Sequence, residues 1–380
     1  MQQAIISIGV NAAKTLRTAT QLHVVGTFER SFYLRSGDAF VCVGEPSIGN
    51  GPLNALVDDH NRLVADRYPG ETVRLADDTL QFSDGTLLTL TEASSWTMPP
   101  WPDYCQTPVI ATLDMLLARS PADGLFRLCT RHILGSGVKN VVPSCQSADV
   151  TALQSRTESS VKALLNGLVP SRIEPDLNFV RYFLPSSPLE GEDNAGSIFV
   201  LHENRSGPRE VGGGFASARL GTIPPTPALP LKGGGREKHE TTTRVPPLHP
   251  TEKRLVEILS QAVSGLIGLG PGLTPSGDDV LAGVLLGLHA TGNTPLAAEL
   301  GALVAAASVS GTSPLSAAFL HCAIGGETSD ALHQVFSAVL TNANWPAALD
   351  TIHRIGHTSG WDHLAGFMLA VTADQLRPRS

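Results

Sequence analysis

The sequence predicts an α+β protein: a small antiparallel β domain over residues 1–100, then a mostly α-helical domain over 101–183 and 245–380, interrupted by a disordered insertion at 184–244. Three observations predict this. Short apolar–polar alternations separated by turn residues fill residues 20–100. Beyond the linker Pro99-Pro100-Trp101-Pro102 the apolar spacing turns helical. Residues 184–244 are rich in Gly, Pro and Ser and carry too little apolar area to offset the entropy of ordering them.

The first strands are His23–Phe28, Ser31–Arg35 and Ala39–Val43, the last two joined by the turn Ser36-Gly37-Asp38. Gly49-Asn50-Gly51-Pro52 breaks the pattern, and Leu53–Asp66 reads as a short helix or an irregular stretch. Thr72–Leu75, Thr79–Phe82 and Thr86–Leu90 alternate around the hairpin signal Ser83-Asp84-Gly85. Helical spacing or strong helix formers mark Val109–Arg119, Gly124–Leu134, Val150–Leu168, Pro250–Leu266, Asp278–Ala290, Leu296–Ala307, Leu315–Ile324, Ala331–Thr341 and Trp345–Ile355. The two ends of the insertion, Ser187–Glu192 and Pro227–Glu237, resemble translated arms of a palindromic repeat. An in-frame insertion in a surface connection is therefore expected, and long loops close at little extra entropic cost.

Bulk composition narrows the function classes. With 42% hydrophobic and 16% charged residues among 380, the chain is ordinary for a globular protein. Its formal charge of -8 and the lack of a basic stripe argue against a nucleic-acid partner. No run nears the ~18 apolar residues of a membrane span, and the start Met1-Gln2-Gln3-Ala4 has no signal-peptide character, so a cytoplasmic protein is expected. Five scattered cysteines with no C-x-x-C exclude a disulfide framework or a structural zinc site. Cys42 sits in an apolar run and reads as packing.

The most informative segment is Ser276-Gly277-Asp278-Asp279-Val280-Leu281-Ala282-Gly283, echoed by Ser359-Gly360-Trp361-Asp362-His363-Leu364-Ala365-Gly366. Each copy begins where a loop ends and an apolar run starts, so each reads as a helix N-terminus. Ser276 with Asp279, and Ser359 with Asp362, have capping-box spacing, and Thr274-Pro275 suits a cap and first turn. Capping leaves Asp278 unexplained, and also the glycines of the preceding turn, Gly268, Gly270 and Gly272. A glycine-bared turn beside Thr274, Ser276 and Gly277 offers N–H donors at a positive helix end, a common site for a small anion. The adjacent carboxylates Asp278 and Asp279 would repel a bare phosphate. They suit a divalent cation such as magnesium, or a carbonyl substrate whose amide they orient. No cofactor is otherwise expected.

Thr312 and Ser313 precede Pro314 at a third helix start, which reads equally as a plain cap. If the two echo copies are pseudo-symmetric, the three N-termini converge on one pocket. Ser359 then joins the ligand-binding set, Asp362 joins Asp278 and Asp279, and His357 stands at the rim as an acid/base candidate. Ala282, Gly283 and Gly287 share one helix face, as do Ala365 and Gly366, which reads as close packing. Asn54, after Gly51-Pro52-Leu53, serves either a ligand or its own turn. Asp58-Asp59 reads as a solvated face.

The runs Gly265–Gly283 and His357–Gly366, with Phe32–Gly44 and Gly51–Asn54, resemble the AllH family. The likeness spans nearly the whole chain outside 184–244. The resemblance implies a subunit of oxamate carbamoyltransferase in allantoin breakdown, a branch of purine catabolism. That enzyme exchanges a carbamoyl group between oxalurate and phosphate, giving oxamate and carbamoyl phosphate, and works with two companion subunits. Both ligands are small anions, as the glycine turn suggests. In this reading the glycine turn and Ser276 hold phosphate or carboxylate, the three aspartates orient the carbamoyl nitrogen or a metal, and His357 shuttles a proton. The S-T-R-T motif of better-known carbamoyltransferases is absent, so their mechanism does not carry over. A non-catalytic ligand-binding or assembly subunit is the alternative. A phosphotransferase ranks last, because no G-x-x-x-x-G-K-[ST] is present.

Overall fold

The computed structural model describes residues 2–58, 63, 66–103, 113–121, 123–134, 148–168 and 250–376. They fall in one compact unit formed by residues 1–175 and 248–380. The insertion expected at 184–244 lies outside the described residues, as do Asp59 and the start of the helix expected from Val109.

The described N-terminal region includes β1 (Gln2–Gly9), α1 (Val10–Thr18), β2 (Gln21–Thr27), β3 (Ser31–Ser36), β4 (Ala39–Gly44), a 3-10 turn (Pro46–Ile48), β5 (Asn54–Val57), β6 (Thr72–Ala76), β7 (Thr79–Gln81), β8 (Leu87–Thr89) and β9 (Ser94–Trp96). Pairing runs β5-β4-β3-β2-β6-β7-β8-β1, and a further β5–β1 ladder closes these eight strands into a barrel, with β9 added along β1. Alternation fills the interior. In β2 Leu22 and Val24 are buried while Gln21 and His23 are exposed. Their β3 and β4 counterparts Phe32, Leu34, Val41 and Val43 are fully buried in the same core.

The antiparallel expectation holds for β2–β3, β3–β4, β2–β6, β6–β7, β7–β8 and β1–β5. It fails for β1–β8, β1–β9 and β4–β5, which are parallel. Antiparallel neighbours joined by tight turns leave a local signature. Parallel neighbours need a crossover and leave none. The same reason hid β5 and β1. Within Leu53–Asp66, expected as a short helix or an irregular stretch, Asn54–Val57 is instead a strand paired with β4, while residues 59–62, 64 and 65 lie outside the described residues. Ala55, Leu56 and Val57 are buried in succession, so no alternation betrays the strand.

The helical region comprises α2 (Leu113–Arg119), α3 (Phe126–Leu134), α4 (Ala148–Leu168), α5 (Pro250–Leu266), α6 (Ser276–Ala290), α7 (Thr294–Gly311), α8 (Pro314–Ile324), α9 (Asp330–Thr341), α10 (Trp345–Ile352) and α11 (Ser359–Gln375). α7 has the length and hydropathy of a membrane span, yet it packs Leu296, Leu300 and Val304 into the helical core. The centre of that core is the pair α6 and α11, the two copies of the sequence echo. α6 is buried from Gly277 to Leu288. α11 is buried from Gly360 to Ala373 except at His363.

The echo is a symmetric helix contact. A Cβ on Gly283 would lie 2.0 Å from the His363 carbonyl oxygen, and one on the equivalent Gly366 would lie 2.0 Å from the carbonyl oxygen of Val280, the counterpart of His363. The next pair repeats this. Gly283 would meet the Phe367 nitrogen at 2.9 Å, and Gly366 the Val284 nitrogen at 2.9 Å. Each A-G step thus lets one backbone press into the other.

Neither copy forms a capping box. Pro275 and Thr358 occupy the N-cap positions without a side-chain cap, so Ser276 and Ser359 are the first helical residues. Asp279 and Asp362 consequently lie one position further in than the box requires, and their carboxyls are free for tertiary partners. Ser313 does cap α8, accepting from the Ser316 amide at 3.0 Å.

Candidate functional site

A cavity of about 720 Å³ is lined from the barrel by residues such as Tyr33 and Asn54, and from the helices by Thr274, Asp279, Ser359 and His363. The size is ordinary for a small-molecule site. Contacts between the N-terminal and helical residues hold its two walls together. The Asp330 amide donates to the Asn50 carbonyl at 2.8 Å, Asn11 Nδ2 donates to Glu327 Oε2 at 3.0 Å, and the Tyr33 and Phe319 rings meet edge to face at 6.5 Å.

Among the described residues that line the cavity, Asp279 alone has a buried side-chain oxygen without a hydrogen-bond partner. It is 4% exposed, and its Oδ2 is buried without a hydrogen-bond partner. Burial pushes its carboxyl well above the usual carboxylate range. The charges of Asp362 and Asp278 add to this, and a hydrogen bond from the Ser359 hydroxyl opposes it. Ser359 Oγ in turn lies 3.2 Å from Thr274 Oγ1. The folded state therefore binds a proton that the unfolded chain releases above its ordinary carboxyl pKa. The resulting contribution to stability is fully present below that value and is lost as pH rises toward the folded pKa. Asp279→Asn removes this cost. The variant is expected to unfold at higher urea than wild type at neutral pH, with the gap closing as pH falls toward 4. A variant less stable than wild type at pH 7.5 would show that Asp279 is held as a paired carboxylate.

His363 stands beside it. Nδ1 lies 2.8 Å from the Ser359 carbonyl oxygen, one helical turn back, and 3.6 Å from Asp279 Oδ1. A carbonyl only accepts, so Nδ1 carries the proton and Nε2 carries the lone pair. Burial lowers the imidazole pKa to about 4, against the bond to Ser359. Two thiols also line the cavity, Cys42 and Cys322. Burial raises them to about 11 and about 12, so neither is a thiolate at neutral pH.

Asp278 faces away from this cavity and is 1% exposed. Its Oδ1 accepts from the Gly268 amide at 2.7 Å, and its Oδ2 accepts from Ser316 Oγ at 2.6 Å and from Thr312 Oγ1. Gly277 N–H donates to the Leu269 carbonyl at 2.8 Å. The glycine turn does bare its amides, with Gly268, Gly270 and Gly272 all at positive φ, but the anion at Gly268 is the protein's own. The cradle binds Asp278, which ties the turn to the start of α8. Ser313 extends the tie, its hydroxyl donating to the Leu273 carbonyl at 2.6 Å. Gly268, Gly270, Gly272, Ser276, Gly277, Thr312 and Ser313 do not line the cavity.

Asp362, the counterpart of Asp279, is fully buried. Its Oδ1 accepts from the Leu125 amide at 2.6 Å and the Phe126 amide at 3.2 Å, so it caps α3 from another helix. Burial raises its pKa against these bonds. Gly124, at φ +81, lets the chain pass, since a Cβ there would lie 2.8 Å from Asp362 Oδ1. His357 is exposed, with Nε2 2.8 Å from Asp123 Oδ2, and does not line the cavity. Asn54 does, though its Nδ2 is spent on the Gly49 carbonyl at 2.9 Å, closing its own turn. Of the residues singled out in the sequence, the structure gathers Asp279, Thr274, Ser359 and Asn54 around one cavity.

Sequence reasoning missed His363, and a signal for it existed. Within the S-G-x-D-x-L-A-G echo the copies differ at two positions. One is Asp278 against Trp361. Asp278 ties the turn, while Trp361 packs its ring on Phe126 with centroids 5.0 Å apart. The other is Val280 against His363. Val280 is fully buried core, while His363 opens on the cavity. A symmetric scaffold becomes an asymmetric site where the repeat breaks. Arg30 and Arg354, also missed, line the cavity too. Among the described residues no group of three or more His, Cys, Asp and Glu is placed to hold a metal ion.

Residues 266–371, which include the glycine turn and both echo copies, match the family model described as oxamate carbamoyltransferase subunit AllH. The match supports the AllH family for this chain, and the family's name supports a subunit of an oxamate carbamoyltransferase. No solved structure matches.

Proposed function

We propose that this chain is the subunit of an oxamate carbamoyltransferase that holds the carbamoyl-bearing substrate, converting oxalurate and phosphate to oxamate and carbamoyl phosphate together with companion subunits. The amide or ureido end of the substrate sits on Asp279. One observation carries this reading: a buried carboxyl with an unpartnered oxygen lining a cavity. An unsatisfied buried polar atom costs about 1–3 kcal/mol and calls for a partner supplied from outside the chain.

Burial raises the Asp279 pKa and favours its neutral form, which narrows that partner. A protonated carboxyl presents one O–H donor and one carbonyl acceptor. A primary amide or ureido group presents the complementary N–H and C=O, so the two close a cyclic pair of hydrogen bonds. A bare phosphate offers no such match. Arg30 and Arg354 are the cations of the same cavity, suited to a carboxylate or phosphate. Asp362 illustrates the preference of this helix position, since it collects two N–H groups from α3.

The test compares two substitutions in the assembled complex. Asp279→Asn keeps one donor and one acceptor, so oxamate affinity by calorimetry is expected within about tenfold of wild type. Asp279→Leu keeps the branched shape but neither group, and affinity is expected to fall about 100-fold. Absence of oxamate and oxalurate binding by the complex, or equal affinity in the Leu variant, would end this reading.

A further inference from the structure

We infer that His363 is a catalytic residue, the group that carries the proton between the phosphate and the substrate nitrogen during carbamoyl transfer. The inference rests on the cavity being the carbamoyl site, and it adds a role to a residue that substrate binding alone does not require.

Geometry argues for it. α11 is buried from Gly360 to Ala373 apart from His363, whose side chain is 13% exposed and lines the cavity. Core positions of this helix carry Leu, Ala, Phe and Met, and the matching position of α6 carries Val280. A histidine kept here only for packing is most stable with both ring nitrogens satisfied within the protein. Instead Nδ1 alone is anchored, at 2.8 Å from the Ser359 carbonyl, while Nε2 has no protein partner among the described residues. The anchor fixes both tautomer and ring orientation. The adjacent unpartnered Asp279 oxygen is the second opening in the same wall. A substrate nitrogen held by Asp279 is thereby set next to a lone pair of fixed direction.

The chemistry balances with these groups alone. A phosphate oxygen attacks the ureido carbon of oxalurate, and its proton passes to Nε2. The tetrahedral intermediate collapses with cleavage of the carbon–nitrogen bond, and the electron pair goes to the nitrogen. That nitrogen takes the proton from Nε2, leaving oxamate, carbamoyl phosphate and neutral imidazole. An amide nitrogen is a poor leaving group unless protonated as it departs. Burial, which disfavours the imidazolium, makes it a strong acid for that step. The Ser359 carbonyl at 2.8 Å and the carboxyl of Asp279 at 3.6 Å both face Nδ1 of the transient cation.

His363→Asn tests this in the assembled enzyme. The Asn amide reproduces the Nδ1 donor to the Ser359 carbonyl and deletes Nε2. Turnover of oxalurate is expected to fall about 10²- to 10³-fold with oxamate affinity changed less than threefold. In the His363→Gly variant, free imidazole is expected to restore part of the rate. In wild type, ¹⁵N-histidine spectra are expected to show the Nδ1-protonated tautomer for His363, with the Nε2 resonance moving on addition of oxamate. Full turnover in the Asn variant, or an Nε2 resonance unmoved by saturating oxamate, would overturn the assignment. Failure of the wild-type complex to bind oxamate would instead overturn the reading of the cavity, so the two failures are separable.

Discussion

Gly366→Ala and Gly283→Ala are each expected to destabilise the protein by about 3 kcal/mol or more, lowering the urea midpoint without a compensating change elsewhere. Intrinsic propensity argues the other way, because alanine in a helix interior is favoured over glycine by about 1 kcal/mol. Packing wins because the new methyl would lie 2.0 Å from a backbone carbonyl in either case. A carbonyl in a helix cannot rotate aside as a side chain can, so α6 and α11 must separate. Every buried residue between them would then lose contact. Gly301→Ala is the control. Its Cβ would first meet the flexible Ile324 side chain, at 3.2 Å, and stability is expected to stay level or rise. Loss in the control equal to that in Gly366→Ala would mean the helix pair is not the tight joint described here.

Asp278→Ala is expected to cost about as much, by a different route. Three donors converge on one buried carboxylate: the Gly268 amide, the Thr312 hydroxyl and the Ser316 hydroxyl. Truncation leaves all three buried or half-buried without an acceptor, at about 1–3 kcal/mol for each group that water cannot reach. Asp278→Asn keeps an acceptor for Gly268 and lets the hydroxyls rotate, so about 1 kcal/mol is expected. Thermal denaturation ranks the series, and amide exchange at Gly268 reports the local knot. Protection at Gly268 unchanged in the Ala variant would show that the turn holds itself without the carboxylate. The contrast with Asp279, whose neutralisation is expected to stabilise, separates two adjacent aspartates. One is a strut, and the other is held open at a cost to stability. Such a cost is common where a protein keeps a group for function.

Much of the fold was legible because its causes are local. Turns such as Ser36-Gly37-Asp38 and Ser83-Asp84-Gly85 demand positive φ at glycine, observed at Gly37 and Gly85, and they fixed the hairpins around them. Helical spacing found the described helices α2 to α10, within a few residues at the ends, and the echo marked the start of α11. β1, β5 and β9 were not legible. Two of them pair in parallel across long sequence separations, and β5 is buried without alternation. The antiparallel description failed at those ladders for that reason. In the site, residue types were legible and partners were not. The echo marked Asp278, Asp279 and Asp362 as special, but spacing cannot say which carboxyl meets a backbone amide and which meets a void.

The sequence by itself therefore determined that two copies of one helix start exist, each with a serine, an aspartate and an A-G step, preceded by a glycine turn. Tertiary structure alone decided their division of labour. Docking the copies face to face gives each aspartate a different neighbourhood: Asp278 the glycine turn, Asp362 the amides of α3, Asp279 an open cavity beside His363. Whether a carboxyl is a strut, a cap or a ligand site depends on the donors that reach it from segments distant in the chain, and no local pattern encodes that distance.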